Sequence, residues 1–219
     1  MSTAVHFELS EGHEAVEPPE WHGVPRDCVR LLVAAPTGVR HHRFRDLPQL
    51  LEPGDVVVVN ISATLPAALD GMRALGRAAI VHVAGELGRG EWMVEIRRLD
   101  GTGPERSVVA GESVHLAGGV VAQISASYPV PGMWASRLWR AGIEPAVSLP
   151  DYLTVHGRPI GYRYLAGPVP LADLQNVYAT EPGSAEMPSA GRPFTAQLIV
   201  ELVARGAARR PLLGPPVRR

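Results

Sequence analysis

Hydrophobic positions along the chain follow two periods, and the places where the period changes divide it into parts. Arg30-Leu31-Leu32-Val33 reads as a short strand, Pro36-Thr37-Gly38 as a turn, and Val39 to Phe44 as a second extended run. Leu47, Leu50 and Leu51 then share one helical face behind Asp46, which stands where an N-cap would, until Pro53-Gly54-Asp55 ends the pattern. Val56-Val57-Val58-Val59 is uninterrupted and β-branched, and predicts a central strand buried on both sides that leads into Asn60. From about Gly71, short Val/Ile runs alternate with glycine: Ala79 to Val83, Trp92 to Ile96, Ser113 to Leu116 and Val120 to Ile124. That punctuation predicts a small all-β unit, barrel or sandwich. After Leu149-Pro150 the texture changes back: Leu171 to Tyr178 has helical spacing, and Thr195 is placed to cap a helix over 196–205 with Gly206 as its C-terminal cap. Residues 1–27, polar and carrying Pro18, Pro19 and Pro25, read as an extended arm.

Composition narrows the class. Apolar residues make up 46% and charged ones 20%, which suits a soluble globular chain with a core. Only 5% is aromatic, so that core must be mostly Val, Leu and Ala. A net charge of −1 excludes a global basic field, and RNA contact would have to come from local patches. All 21 basic residues are Arg, which weakens each Arg as a functional signal. The single cysteine, Cys28, excludes an internal disulfide and a paired-cysteine zinc site. The N-terminal stretch is acidic without an apolar run, and no apolar run is long enough to span a bilayer. No membrane association is expected, and the location expected is cytoplasmic.

Generic motifs contribute little. Gly85, Gly88 and Gly90 are turn glycines rather than a dinucleotide loop, and the eight His residues form no metal-ligand spacing, so no metal is expected. Arg40-His41-His42-Arg43-Phe44-Arg45 reads either as a half-exposed edge strand or as a phosphate strip. Two segments carry more. Asn60 ends a buried strand and is followed by a Ser/Thr/Pro loop, a position where α/β proteins often place ligand sites, although Asn60 can equally tie down its own loop. Tyr178 to Thr195 is a long loop of small residues leading into a helix start, which suits either close ligand approach or a plain linker.

These segments resemble, in order, the motifs of the S-adenosylmethionine:tRNA ribosyltransferase-isomerase family. Pro53 to Asn60 with Leu65 to Leu69 is similar to the family's strand, Asn and Pro-Ala-Arg-Leu; Leu149-Pro150-Asp151-Tyr152-Leu153 to Leu-Pro-Pro-Tyr-Ile; Tyr178 to Ser184 to Tyr-Ala-x-x-Pro-Gly-Ala; Pro188 to Phe194 to Pro-Thr-Ala-Gly-Leu-His-Phe. The resemblance implies an α/β fold class, a discontinuous α/β domain with an inserted small β-barrel: residues 1–72 and 151–206 flank a barrel over 73–150. It also implies transfer and isomerisation of the ribosyl part of S-adenosylmethionine onto 7-aminomethyl-7-deazaguanine in tRNA, with tRNA as partner, S-adenosylmethionine as ribosyl-donor substrate and no metal. Asn60, Ser189, Ala190, Gly191 and Phe194 become the expected ligand-facing wall; no catalytic base is identified. Ala63 and Ala68 stand where the family has Arg, and Arg192-Pro193 where it has Leu-His, so S-adenosylmethionine binding is expected to be weak or absent, and a non-catalytic relative is the rival reading. The family continues well beyond this point, whereas residues 207–219 match no family pattern and read as a frame change or early stop. They are expected to be irregular, with no element past Gly206, no packing partner, and an uncovered sheet that favours self-association.

Overall fold

The computed structural model describes Glu8 and residues 15–212, apart from Arg89 and Ala135. In chain order the elements are β1 (Arg30–Ala35), β2 (Gly38–Arg43), α1 (Leu47–Leu50), β3 (Val56–Asn60), β4 (Ser62–Thr64), β5 (Ala68–Arg73), β6 (Arg77–Gly88) and β7 (Glu91–Arg97). There follow β8 (Ser113–Leu116), β9 (Val121–Tyr128), β10 (Leu138–Glu144), α2 (Leu149–His156), α3 (Leu171–Leu174), β11 (Glu181–Ser184), α4 (Ala196–Ala204) and β12 (Ala208–Leu212).

Six antiparallel strands close into a barrel in the order β10-β7-β6-β5-β8-β9. Alternation builds it: Ala79, Val81 and Val83 point inward from β6, while Ile80 and His82 between them face out. Trp92, Val94, Ile96, Val114, Ala122 and Ile124 fill the interior, and α2 joins that core with Leu149, Tyr152 and Leu153. The Tyr152 hydroxyl donates to the Ala117 carbonyl at 2.7 Å, which satisfies the buried phenol. The barrel's first strand begins at Ala68, ahead of the change in texture near Gly71.

The α/β part is built from two short parallel pairs, β3 with β12 and β4 with β11. Helix α4 covers one face of the first pair, packing Leu198 and Leu202 on Val59 and Ala207. β3 is therefore not a central strand buried on both sides. Val56 and Val58 are 54% and 55% exposed, because successive side chains point to opposite faces and only one face has a helix on it.

The tail also departs from expectation. Residues 208–212 form a strand in register with Val56 to Asn60, starting from an Ala208 N–H bond to the Asp55 carbonyl at 2.9 Å. Pro211 does not prevent this. In a parallel ladder alternate residues donate to a given neighbour, and the parity set by Ala208 turns position 211 toward the outer edge, where a missing N–H breaks nothing. Residues 213–219 lie outside the described residues. The helix expected over 171–178 stops at Leu174, since Gln175 turns extended to bring its side chain to Thr64. The expected N-terminal arm instead holds two 3-10 turns, Pro19–His22 and Arg26–Cys28, each preceded or opened by a proline whose fixed φ favours the turn.

Candidate functional site

Asn60 ends β3, and its Oδ1 accepts the Ser62 N–H at 2.9 Å, which bends the chain into β4. β4 pairs with β11, and the Leu65 N–H donates to the Ser184 carbonyl at 2.8 Å, so the loop that follows β11 starts from a fixed point. Gln175 braces the same strand: its Oε1 accepts the Thr64 N–H at 2.9 Å and its Nε2 donates to the Thr64 carbonyl at 2.7 Å, one side chain standing in for a third strand.

The Pro188 to Phe194 segment lies over this base. Asn176 Nδ2 donates to the Pro188 carbonyl at 3.3 Å, and Arg192 Nε to the Asp173 carbonyl at 2.9 Å. Arg192 also pairs with Glu20 at 2.9 Å; Glu20 in turn holds Arg26 at 2.9 Å, and Arg26 reaches the Gln175 carbonyl at 3.1 Å. Buried on one side, this Arg–Glu–Arg chain ties the N-terminal turn to the loop. Arg192 thus holds the loop in place through Glu20 rather than offering a free cation.

The five expected wall residues separate into two kinds. Ser189 and Ala190 lie on a 3-10 turn, and Ser189 lines a cleft of about 240 Å³ with Arg26, Tyr164, Met187 and Arg192. Gly191 is buried against Tyr178 and Asn176, and Phe194 sits in the core with ring centroids 4.9 Å from Phe44 and 5.7 Å from Tyr178. Asn60 lies at the loop's base. The helix start behind the loop is already occupied in part, because Thr195 Oγ1 accepts the Leu198 N–H at 3.1 Å. Thr64 Oγ1 and Asn176 Oδ1 are buried with no hydrogen-bond partner among the described residues. Gln175, Asn176, Glu20 and Arg26 are not singled out by the sequence; adjacent amides at the end of an amphipathic run are the available signal.

Beside this cleft, and sharing Leu165, Val169 and Leu174 with it, a larger groove of about 470 Å³ runs along the outer wall of the barrel. Ala68, where the resemblance places Arg, lines it, and β-bridge bonds of 2.9 Å join Ala68 to Arg158. His82 also lines it, directly across the β6–β7 ladder from Glu95. Glu95 is itself held by Arg97 at 2.5 Å and Arg137 at 2.7 Å. Burial first, and the Arg97 charge second, push the His82 imidazole down to about 4. Folding therefore favours its neutral form, and the associated stability is present above the unfolded value near 6.5 and lost as pH falls toward 4. Between pH 7 and pH 5 this single group is expected to cost about 2 kcal/mol, and His82→Gln to remove that slope, as read from urea midpoints at the two pH values.

Among the described residues no group of three His, Cys, Asp or Glu side chains could hold a metal ion, and no helix is long and apolar enough to cross a membrane. The family described as "Queuosine biosynthesis protein" matches residues 2–213. S-adenosylmethionine:tRNA ribosyltransferase-isomerase of Thermus thermophilus is 34% identical over 217 residues, 91% of this chain and 59% of that protein. The protein of the same name from Moorella thermoacetica is 37% identical over 212 residues, 91% of this chain and 56% of its own length. A crystal structure of S-adenosylmethionine tRNA ribosyltransferase from Thermotoga maritima aligns with 94% of this chain and 56% of that one, at 20% identity and a TM-score of 0.37. The chain thus spans a little over half the length of these curated relatives. With a match running through nearly all of its residues, the chain belongs to the queuosine biosynthesis protein family.

Proposed function

We propose that this chain carries the reaction for which its relatives are named: transfer and isomerisation of the ribosyl part of S-adenosylmethionine onto 7-aminomethyl-7-deazaguanine in tRNA, giving epoxyqueuosine, in the cytoplasm. The observation that carries this reading is the family match over residues 2–213, which includes the loop of Ser189, Ala190 and Gly191. That loop has the properties a wall for a bound nucleoside needs. It is braced from beneath by Asn176, Arg192 and Gln175, it starts from a strand pair fixed by Asn60, and it presents only small groups outward, so a ligand can approach the backbone closely. Phe194 and Gly191 serve from behind, one as a core anchor and the other as the point of closest approach. Orientation of the base amine against the ribosyl carbon is the contribution this geometry makes.

The test is direct. Incubation of the 219-residue chain with millimolar S-adenosylmethionine and tRNA bearing 7-aminomethyl-7-deazaguanine is expected to release adenine and to raise the mass of the modified nucleoside. Tight binding of both substrates with no adenine and no mass change would support the non-catalytic reading in its place.

A further inference from the structure

The groove on the barrel's outer wall adjoins the cleft of Ser189 without including that loop, and of the motif residues only Ala68 lines it. We propose that it is a binding site for single-stranded RNA, holding one unpaired nucleotide with its phosphate beside the cleft where modification takes place. This rests on tRNA being the substrate, and it adds where the RNA strand lies.

Size comes first. About 470 Å³ lies within the roughly 300–1,000 Å³ of small-molecule sites and suits one nucleotide rather than a helix. Charge comes second. The groove is lined by Arg97, Arg158 and Arg163 against one carboxylate, Asp100, in a chain whose overall charge is −1. Arg163 has no side-chain partner among the described residues. Arg97 and Arg158 are each paired with one carboxylate, Glu95 and Asp70, and a guanidinium with five N–H donors retains others for phosphate. Asp100 remains ionised, because the Thr102 N–H and hydroxyl hold its carboxyl below the usual range, so it disfavours phosphate at its own position. The cations therefore form a local patch of the kind an otherwise neutral RNA-binding chain requires.

The floor supplies what a base needs. Ile80 and Ile160 offer apolar surface, and Tyr162 an aromatic face. His82 is neutral at physiological pH and has no hydrogen-bond partner among the described residues, so one ring nitrogen can donate and the other accept. The groove is also coupled to the cleft: the Tyr162 hydroxyl accepts the Met187 N–H at 2.8 Å, two residues before Ser189. A base resting on Tyr162 would press on the side chain that holds the modification loop.

Fluorescence anisotropy with labelled unfractionated tRNA and with an RNA decamer tests the assignment, in 50–200 mM salt. Arg158→Gln with Arg163→Gln is expected to weaken both at least tenfold and to reduce the slope of log K on log salt by roughly 1.5. His82→Phe is expected to weaken binding about threefold or more without changing that slope, since it removes a base contact and no charge. Arg40→Gln, on the exposed β1–β2 hairpin, should stay within twofold. The Arg158 side chain is 46% exposed and Arg163 is exposed, so an unchanged thermal midpoint will show that the double variant is folded. Unaltered affinity in that variant, an equal loss with Arg40→Gln, or no RNA binding by the parent chain would each overturn the proposal. Adenine release that persists in any of those cases would show that the groove assignment alone has failed.

Discussion

Gly191→Ala is expected to lower the thermal midpoint by roughly 6–12 °C, corresponding to about 3 kcal/mol at ~2–4 °C per kcal/mol for a chain of this size. A Cβ at position 191 would overlap Tyr178 Oη and lie 2.5 Å from Asn176 Nδ2. Neither neighbour can step aside cheaply: both residues are 5% exposed, Tyr178 packs against Phe194, and Asn176 holds the Pro188 carbonyl. The added methyl would therefore force a choice between overpacking the core and lifting the loop, with loss of the Asn176 bond. Differential scanning fluorimetry reads the first consequence and adenine release the second. A midpoint within a degree of the parent would mean that the loop yields freely and is not braced as described. In that case its place in the proposed site would need another support.

Strong local signals in the sequence carry through to the structure. The Val/Ile runs at Ala79, Trp92, Ser113 and Val120 are barrel strands because alternation and glycine turns act locally. Thr195 caps its helix for the same reason: the bond to Leu198 needs nothing beyond three residues. Expectations fail where a partner distant in sequence decides. Four consecutive valines are compatible with burial on one face or two, and only the position of α4 settles which. Gln175 leaves a helical pattern because Thr64, 111 residues away, offers both backbone groups to its amide. Arg192 stands where the family pattern has Leu, beside Pro193 in place of its His; Glu20, 172 residues away, makes Arg192 a strut. The groove with His82 is not legible in the sequence at all. It forms between an outward face of β6 and a segment after α2, and no local pattern in either announces the other.

The tail gives the last expectation. A chain ending at Gly206 would lose β12, but the more discriminating variant is Ala207→Asp in the 219-residue chain. Ala207 is 7% exposed and belongs to the cluster formed by Val59, Leu198 and Leu202, with Val57 and Ile199 packed against it. A carboxylate there has no cation to meet among those neighbours, and burying an uncompensated charge costs several kcal/mol unless the strand peels away. The midpoint is expected to fall by roughly 6–12 °C, equivalent to about 3 kcal/mol, with truncation after Gly206 shifting it in the same direction by less. Truncation is gentler because the conformational entropy of ordering β12 no longer has to be overcome, which offsets part of the lost ladder. The Ala207→Asp substitution retains the chain and removes only its fit. Hydrogen exchange at Val57 and Val59 adds a local reading, since faster exchange in both variants follows if β12 covers this pair. Unchanged midpoints together with unchanged exchange would show that nothing after Gly206 packs, which is what the Pro- and Arg-rich composition of the tail suggests on its own. The ladder from Ala208 to Leu212 argues for the opposite result.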